Sequence, residues 1–231
     1  MNKVMAFLRS GASTGREAFQ ASVLESADTG LGAMIGAEAL NVNLVRMPSA
    51  NLPYRPPGDP TAGMAPEYDL IIEAWSTGAP AQLSERLRTA LGGQTSVLHA
   101  YAVTDTRIYD RRPFRRGRPS EGIKLIGRLM FHADMPDTAV RRSWRLHAGL
   151  AARVHVGSAI YVQNWVDAAL SADCPPTRGM PIMHFPSDRD FFEGFVDSPR
   201  GMEEIIQDTS HFVAGGPRFY TTEHVIRAIA K

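Results

Sequence analysis

The chain has 231 residues, 44% of them hydrophobic, with 25 Lys and Arg against 24 Asp and Glu. That is enough apolar material for one good core or two small ones, and a net charge of +1 gives no field to steer the chain toward nucleic acid or an acidic membrane surface. The single cysteine, Cys174, rules out a disulfide within the chain and a Cys-rich metal site, so a reducing, cytoplasmic setting is expected.

Near the start, the apolar run Val4 to Leu8 is short and no small-residue cleavage signal follows it. No apolar stretch approaches the roughly 18 residues of a membrane span, so neither secretion nor membrane insertion is expected. Lys3 to Leu8 reads as a strand, and Phe19, Val23, Leu24, Leu31 and Met34 as a loose helical stripe ended by Gly36. A strand over Leu40 to Arg46 follows, then a proline-rich loop from Met47 to Pro66, a strand over Tyr68 to Trp75, a helix over Ala79 to Leu91 and a strand over Ser96 to Tyr109. The segment Asp110 to Gly122 carries Arg111, Arg112, Arg115, Arg116 and Arg118 beside Arg107 and reads as a linker. Its guanidinium groups suit anion recognition, with a solvated joint as the plainer alternative.

Beyond the linker the order repeats. Ile123 to Met130 is a strand. Pro136 opens a helix with Val140, Trp144, Leu146, Leu150 and Val154 on its apolar stripe, and Gly157 is placed to end it in a left-handed cap. Strands over Ile160 to Val166 and Gly179 to Phe185, a helix over Ser187 to Gln207 broken at Pro199, and a strand over Arg218 to Arg227 complete the chain. Lys3 and Lys124, Gly36 and Gly157, and Asn43 and Asn164 are all separated by 121 positions, which points to an internal duplication. The expected fold is therefore α+β, with two tandem ferredoxin-like βαββαβ repeats over residues 1–109 and 122–231, joined by a linker at 110–121. Each repeat has a bare sheet face, so the two sheets are expected to pack face to face as an α+β barrel with an internal pocket.

The second half resembles the EthD family of the dimeric α/β-barrel superfamily. The likeness rests on the segments IKLIGRLMFHADM, RRSWRLHAGLAARV, YVQNWV, HFPSDRDFFEGFVDSP and FYTTEHVI, in which Trp144, His147, Tyr161, Gln163, Asn164, Thr222 and Glu223 match the family pattern. The first half is similar in element order and in Glu73-Ala74-Trp75, but has Ser26 where the helix histidine would fall. The resemblance implies an intrachain pseudo-dimer, with a further homodimer compatible. It also implies chemistry without metal or organic cofactor, as in methylmuconolactone methylisomerase-type proteins.

His147 is the first candidate catalytic group, because an imidazole exchanges protons near neutral pH. A half-buried histidine bonded to backbone is the structural alternative. Tyr161, Gln163 and Trp165 share one strand face, expected to look into the pocket between the repeats, while Ile160, Val162, Asn164 and Val166 are expected to lie under the helices. Tyr161 would polarise a carbonyl, as the corresponding tyrosine of the resembled isomerase implies. His184 would be a second acid–base group beside His147. Trp144, Gln163, Trp165, Trp75 and His211 would line the substrate site, with His211 covering its mouth; His132, His155 and His224 read as solvent-facing or structural. No HxH, HExxH, GxGxxG or P-loop spacing occurs, so no metal or cofactor is expected. Cys174 beside Pro175 and Pro176 reads as structural rather than nucleophilic. Together these features point to a cofactor-independent lyase acting on a small aromatic or cyclic metabolite. The alternatives are an isomerase or a cofactorless monooxygenase, and, outside catalysis, a small-ligand-binding barrel.

Overall fold

The computed structural model describes residues 1–47, 66–111 and 120–227. In chain order the elements are β1 (Asn2–Ser10), α1 (Arg16–Ser26), a π-helical turn (Ala27–Leu31), α2 (Gly32–Ile35), β2 (Ala39–Val45), β3 (Leu70–Ser76), α3 (Pro80–Leu91) and β4 (Thr95–Asp110). Then come β5 (Ile123–Gly127), β6 (Met130–Phe131), α4 (Asp137–Val154), β7 (Ile160–Ala169), β8 (Gly179–Phe185), α5 (Asp188–Gly194), α6 (Pro199–Ser210), β9 (Val213–Gly215) and β10 (Arg218–Arg227). Eight strands close into an antiparallel barrel in the order β1-β3-β2-β10-β5-β8-β7-β4, and β6 and β9 pair separately.

Each half contributes four neighbouring strands, β4-β1-β3-β2 and β7-β8-β5-β10, and the two groups join edge to edge through β2–β10 and β4–β7. The expected α+β barrel is present, but these ladders close it edge to edge and correct the expectation that two sheets pack face to face. Closure gives each of the eight barrel strands two neighbours among the described residues, which removes from the barrel the template on which exposed edges aggregate. The proline-rich loop and most of the Arg-rich linker lie outside the described residues; Arg111 stands at the linker's start, with its guanidinium 4.9 Å from the Tyr109 ring centroid.

Strand alternation sorts the side chains into three layers. Val4, Ala6, Leu8, Leu40, Val42, Leu70, Ile72 and Ala74 face outward and pack with Phe19, Val23, Leu31, Ile35, Leu83 and Leu87 of the first-half helices. Met5, Phe7, Ile71, Tyr101, Val103, Ile126, Ile160, Val162, Met180, Ile182 and Phe219, drawn from both halves, form the barrel interior. Leu125, Tyr161, Met183, Phe185 and Tyr220 face outward under α4, α5 and α6.

Several local expectations shift. Met34 is exposed and Ile35 buried, because the π turn inserts extra residues between them and the start of the stripe. Leu146 is exposed, while His147, Ala148 and Ala151 complete the buried stripe of α4. Gly36 adopts the left-handed cap (φ 69°), but Gly157 does not; a Cβ there would lie 2.1 Å from the Asp190 carbonyl oxygen, so this glycine serves close approach of α5 to the end of α4. Pro199 separates α5 from α6, with the Ser198 hydroxyl accepting from the Gly201 amide.

At one end of the interior, residues 121 apart meet. The Lys3 ammonium donates to Asn164 Oδ1 (2.7 Å) and pairs with Glu73 (2.9 Å), while Lys124 binds both Glu73 and Glu223, and Asn43 donates to Glu73. Burial would raise the Glu73 carboxyl pKa, but Lys124 and Lys3 outweigh it and hold the group well below the usual carboxylate range. This balanced quartet ties the halves together across the barrel.

Candidate functional site

His147, Tyr161 and Gln163 gather outside the barrel, between β7 and the helices α4 and α6. The apolar stripe of α4 carries His147 down onto the sheet, where it is 7% exposed. Its Nδ1 lies 2.7 Å from Asp208 Oδ2 on α6. A carboxylate only accepts, so Nδ1 carries the proton and Nε2 keeps the basic lone pair. Burial lowers the His147 pKa, and the hydrogen bond and charge of Asp208 offset part of that shift. The two helices are fastened further along by Arg153, which pairs with Glu204 and with Asp197 at 3.9 Å.

Tyr161 stands on β7 beneath His147, ring centroids 6.4 Å apart and nearly perpendicular. Gln163 Nε2 donates to the Tyr161 oxygen (3.1 Å) and to the Trp144 carbonyl (2.6 Å), fixing strand to helix. Burial pushes the Tyr161 hydroxyl up to about 12, against the pull of hydrogen bonds from Gln163 and Trp144. At neutral pH it is therefore an un-ionised phenol whose oxygen is held by donors, which leaves its own hydrogen to serve as a donor. Phe212 lies 5.9 Å from the His147 ring and packs on Phe131, which contacts Trp144 and stacks on Trp165.

Tyr161, Gln163, Trp165, Trp144 and His147 thus share one layer, but it is the helix–sheet layer. The face of β7 that turns into the barrel is that of Ile160, Val162 and Asn164, the reverse of the expected assignment. Trp165 has Phe131 stacked at 5.8 Å and the Arg141 guanidinium at 3.9 Å, so its ring faces are engaged by protein groups. His184 pairs in register with Lys124 and Ile160 on the interior face, and the sheet separates it from His147. Trp75, also interior, sits under the Lys3 ammonium (4.7 Å) in the first half. His211 caps the end of α6 with Nδ1 on the Gln207 carbonyl (2.6 Å) and is exposed, whereas its neighbour Phe212 reaches the site.

His155 is buried, its Nδ1 bonded to the Phe195 carbonyl, and burial lowers its pKa to about 4 despite that bond. His132 bonds the Ser210 carbonyl (2.9 Å), and His224 is half-buried. Cys174 donates to the Ala100 carbonyl (3.3 Å). Among the described residues no three His, Cys, Asp or Glu side chains gather as a metal-holding group, and no helix is long and apolar enough to cross a membrane. Sequence reasoning missed Asp208 and Phe212. Both are 61 or more positions from His147, and no spacing rule links an acid on one helix to an imidazole on another.

No protein-family model and no curated protein matches the sequence. Solved structures share its fold. An anthrone oxidase-like protein superposes with a TM-score of 0.58 at 12% identity, covering 98% of this chain and 91% of its own. Inferred monooxygenases from Lactobacillus acidophilus NCFM (TM-score 0.54, 11% identity, 99% and 97% covered) and Fusobacterium nucleatum subsp. nucleatum ATCC 25586 (0.57, 9%, 98% and 92%) are also similar. At such identities the likeness establishes an α+β barrel spanning nearly the whole chain, and the fold alone.

Proposed function

We propose that the protein is an oxygenase of small aromatic or cyclic metabolites, working by His-based proton abstraction in the second-half helix–sheet layer. The observation that carries this reading is the His147–Asp208 dyad, which fixes one imidazole nitrogen as base and sets it against Tyr161 and an aromatic wall. Asp208 orients the ring and stabilises the imidazolium that forms; it positions His147 and does not touch substrate. Nε2 would remove a proton from a phenol or an activated ring methylene, and the Tyr161 hydroxyl would donate to the oxygen on which charge develops. The resulting carbanion or phenolate is electron-rich and is itself the reductant for dioxygen. An activated methylene then loses two hydrogens and gains one oxygen, and the second oxygen leaves as water.

The same base could serve an elimination, the reading favoured by the residues alone. The monooxygenase-type and anthrone oxidase-like names among the structural matches favour oxygenation instead, and the residues that carry the EthD resemblance, Trp144, His147, Tyr161 and Gln163, meet in the helix–sheet layer to which this reading assigns the chemistry. Oxygen consumption separates the two. On incubation with a panel of hydroxyaromatics and cyclic ketones, turnover should consume dioxygen and stop under argon. His147→Ala should lower it by about 10²- to 10⁴-fold. Turnover that continues under argon would establish a lyase or isomerase, and full activity in His147→Ala would reject the site.

A further inference from the structure

A second cluster of titratable groups lies at the end of the barrel interior away from the Lys–Glu quartet, outside the proposed oxygenase site. Tyr68, fully buried, packs its ring against Phe7 (5.3 Å) and Phe219 (5.6 Å). Its hydroxyl oxygen lies 2.7 Å from His99 Nδ1 and 2.7 Å from Arg128 Nη1. His99 Nε2 in turn lies 3.2 Å from Asp173 Oδ2, and Arg128 Nη2 lies 3.2 Å from Glu67 Oε2.

With the His99 imidazole neutral, donor–acceptor arithmetic orients this chain. Arg128 only donates, so the phenol oxygen accepts from it; Asp173 only accepts, so Nε2 of His99 carries hydrogen. Nδ1 is then the lone-pair nitrogen, and the Tyr68 hydrogen points to it. A phenol can give up an electron under mild conditions only if a base takes its proton in the same event, since the bare phenol radical cation is a very strong acid. Tyr68 has that base in hydrogen-bond contact, and the imidazolium so formed would rest on Asp173.

Two other buried tyrosines lack this arrangement: Tyr101 donates to the Pro175 carbonyl, which cannot hold a proton, and Tyr161 accepts from Gln163. Burial also keeps Tyr68 protonated, raising its pKa well above the usual tyrosine value, with Arg128 opposing and Glu67 reinforcing the shift. Asp173 and Glu67 are both solvent-accessible, so the buried ring is a single side chain beneath the surface at either end of the chain.

We infer that Tyr68, His99 and Asp173 form a redox-active tyrosine site that surrenders one electron to small-molecule one-electron oxidants such as aryloxyl radicals. In the step, Tyr68 loses an electron to the oxidant and its hydroxyl proton passes to His99 Nδ1, giving a neutral phenoxyl radical and an imidazolium. Reduction by a small-molecule donor of the ascorbate class reverses both transfers.

The test is to mix the full chain with hexachloroiridate(IV), an outer-sphere oxidant, freeze rapidly and record the EPR spectrum. A phenoxyl signal is expected in the wild type, in Tyr101→Phe and in Tyr161→Phe, and its loss in Tyr68→Phe. His99→Gln removes the proton acceptor and should slow its formation by about tenfold or more, each factor of ten being about 1.4 kcal/mol of barrier, while Glu67→Gln leaves it intact. If Tyr68→Phe does not fold, ENDOR on wild type carrying ¹⁵N-histidine decides, because the radical should couple to an imidazole nitrogen. A signal that persists in folded Tyr68→Phe, or a wild-type radical with no histidine coupling, overturns the proposal.

Discussion

The two helix–sheet layers sit on the two halves of one barrel and are built from strands in matching order, yet one buries almost only apolar side chains and the other buries an imidazole, a phenol and an amide. In the first, Phe19, Val23, Leu31, Ile35, Leu40, Val42 and Leu83 meet, and the buried polar side chain that its helices add among the described residues is the small Ser84 of α3. In the second, His147, Tyr161 and Gln163 occupy positions 121 residues beyond Ser26, Leu40 and Val42. A layer that only has to hold helix to sheet is stabilised best by aliphatic packing. Burying an imidazole, a phenol and an amide costs desolvation unless each is bonded, and the Asp208, Gln163 and Trp144 contacts supply those bonds. That expense, concentrated on one side, is the physical argument for placing chemistry there.

The largest effect should come from what the halves share. Glu73→Leu leaves the buried Lys3 and Lys124 ammonium groups without their common anion, and we expect a loss of about 3–5 kcal/mol in denaturant unfolding, still in one transition. Separate unfolding of the two layers would show that the barrel does not couple them. A smaller and one-sided effect is expected from truncation within the layers. Leu40→Ala should cost about 2–5 kcal/mol and leave turnover per folded molecule unchanged. Its counterpart Tyr161→Phe deletes one hydroxyl, should cost only about 1 kcal/mol, and should depress turnover. If the two variants affect activity alike, the contrast between the layers is one of packing only.

Much of this architecture is written in local periodicity. The strands, the stripe of α4 and the break at Pro199 follow from alternation, spacing and proline chemistry, and the 121-residue register already paired Lys3 with Lys124 and Asn43 with Asn164. What alternation could not assign was which face of β7 turns inward. Tyr161, Gln163 and Trp165 look like a ligand-facing set, and Ile160 and Val162 look like a helix-facing one; the reverse holds because the barrel interior is itself an apolar core, with Asn164 recruited to Lys3. The same ambiguity put His184 beside His147, although one strand pairing with Lys124 places it across the sheet. Contacts between helices, such as Asp208 to His147, depend on helix packing and leave no trace in spacing.

The finest test concerns how Asp208 sets the proton affinity of His147. Burial depresses the His147 pKa, and the Asp208 carboxylate raises it part of the way back. Asp208→Asn keeps an acceptor for Nδ1 but removes the charge, so the pKa should fall further. If neutral His147 is the base, the acid limb of the pH–rate profile should move to lower pH, while the plateau rate falls because a weaker base abstracts more slowly. Stability should respond with the sign of a depressed group. A folded pKa below the unfolded value of about 6.5 means the native state binds fewer protons, so stability is complete above that pH and is lost as pH falls through the window beneath it. His155, lowered to about 4, adds to the same slope in the wild type and in the variant alike. The His155 contribution therefore cancels in the difference between their stability curves, and the further fall in the His147 pKa should make Asp208→Asn steepen the acid loss. An acid limb that stays in place would show that Asp208 orients the imidazole without tuning it, and would assign the polar asymmetry of the two layers to geometry rather than to proton affinity.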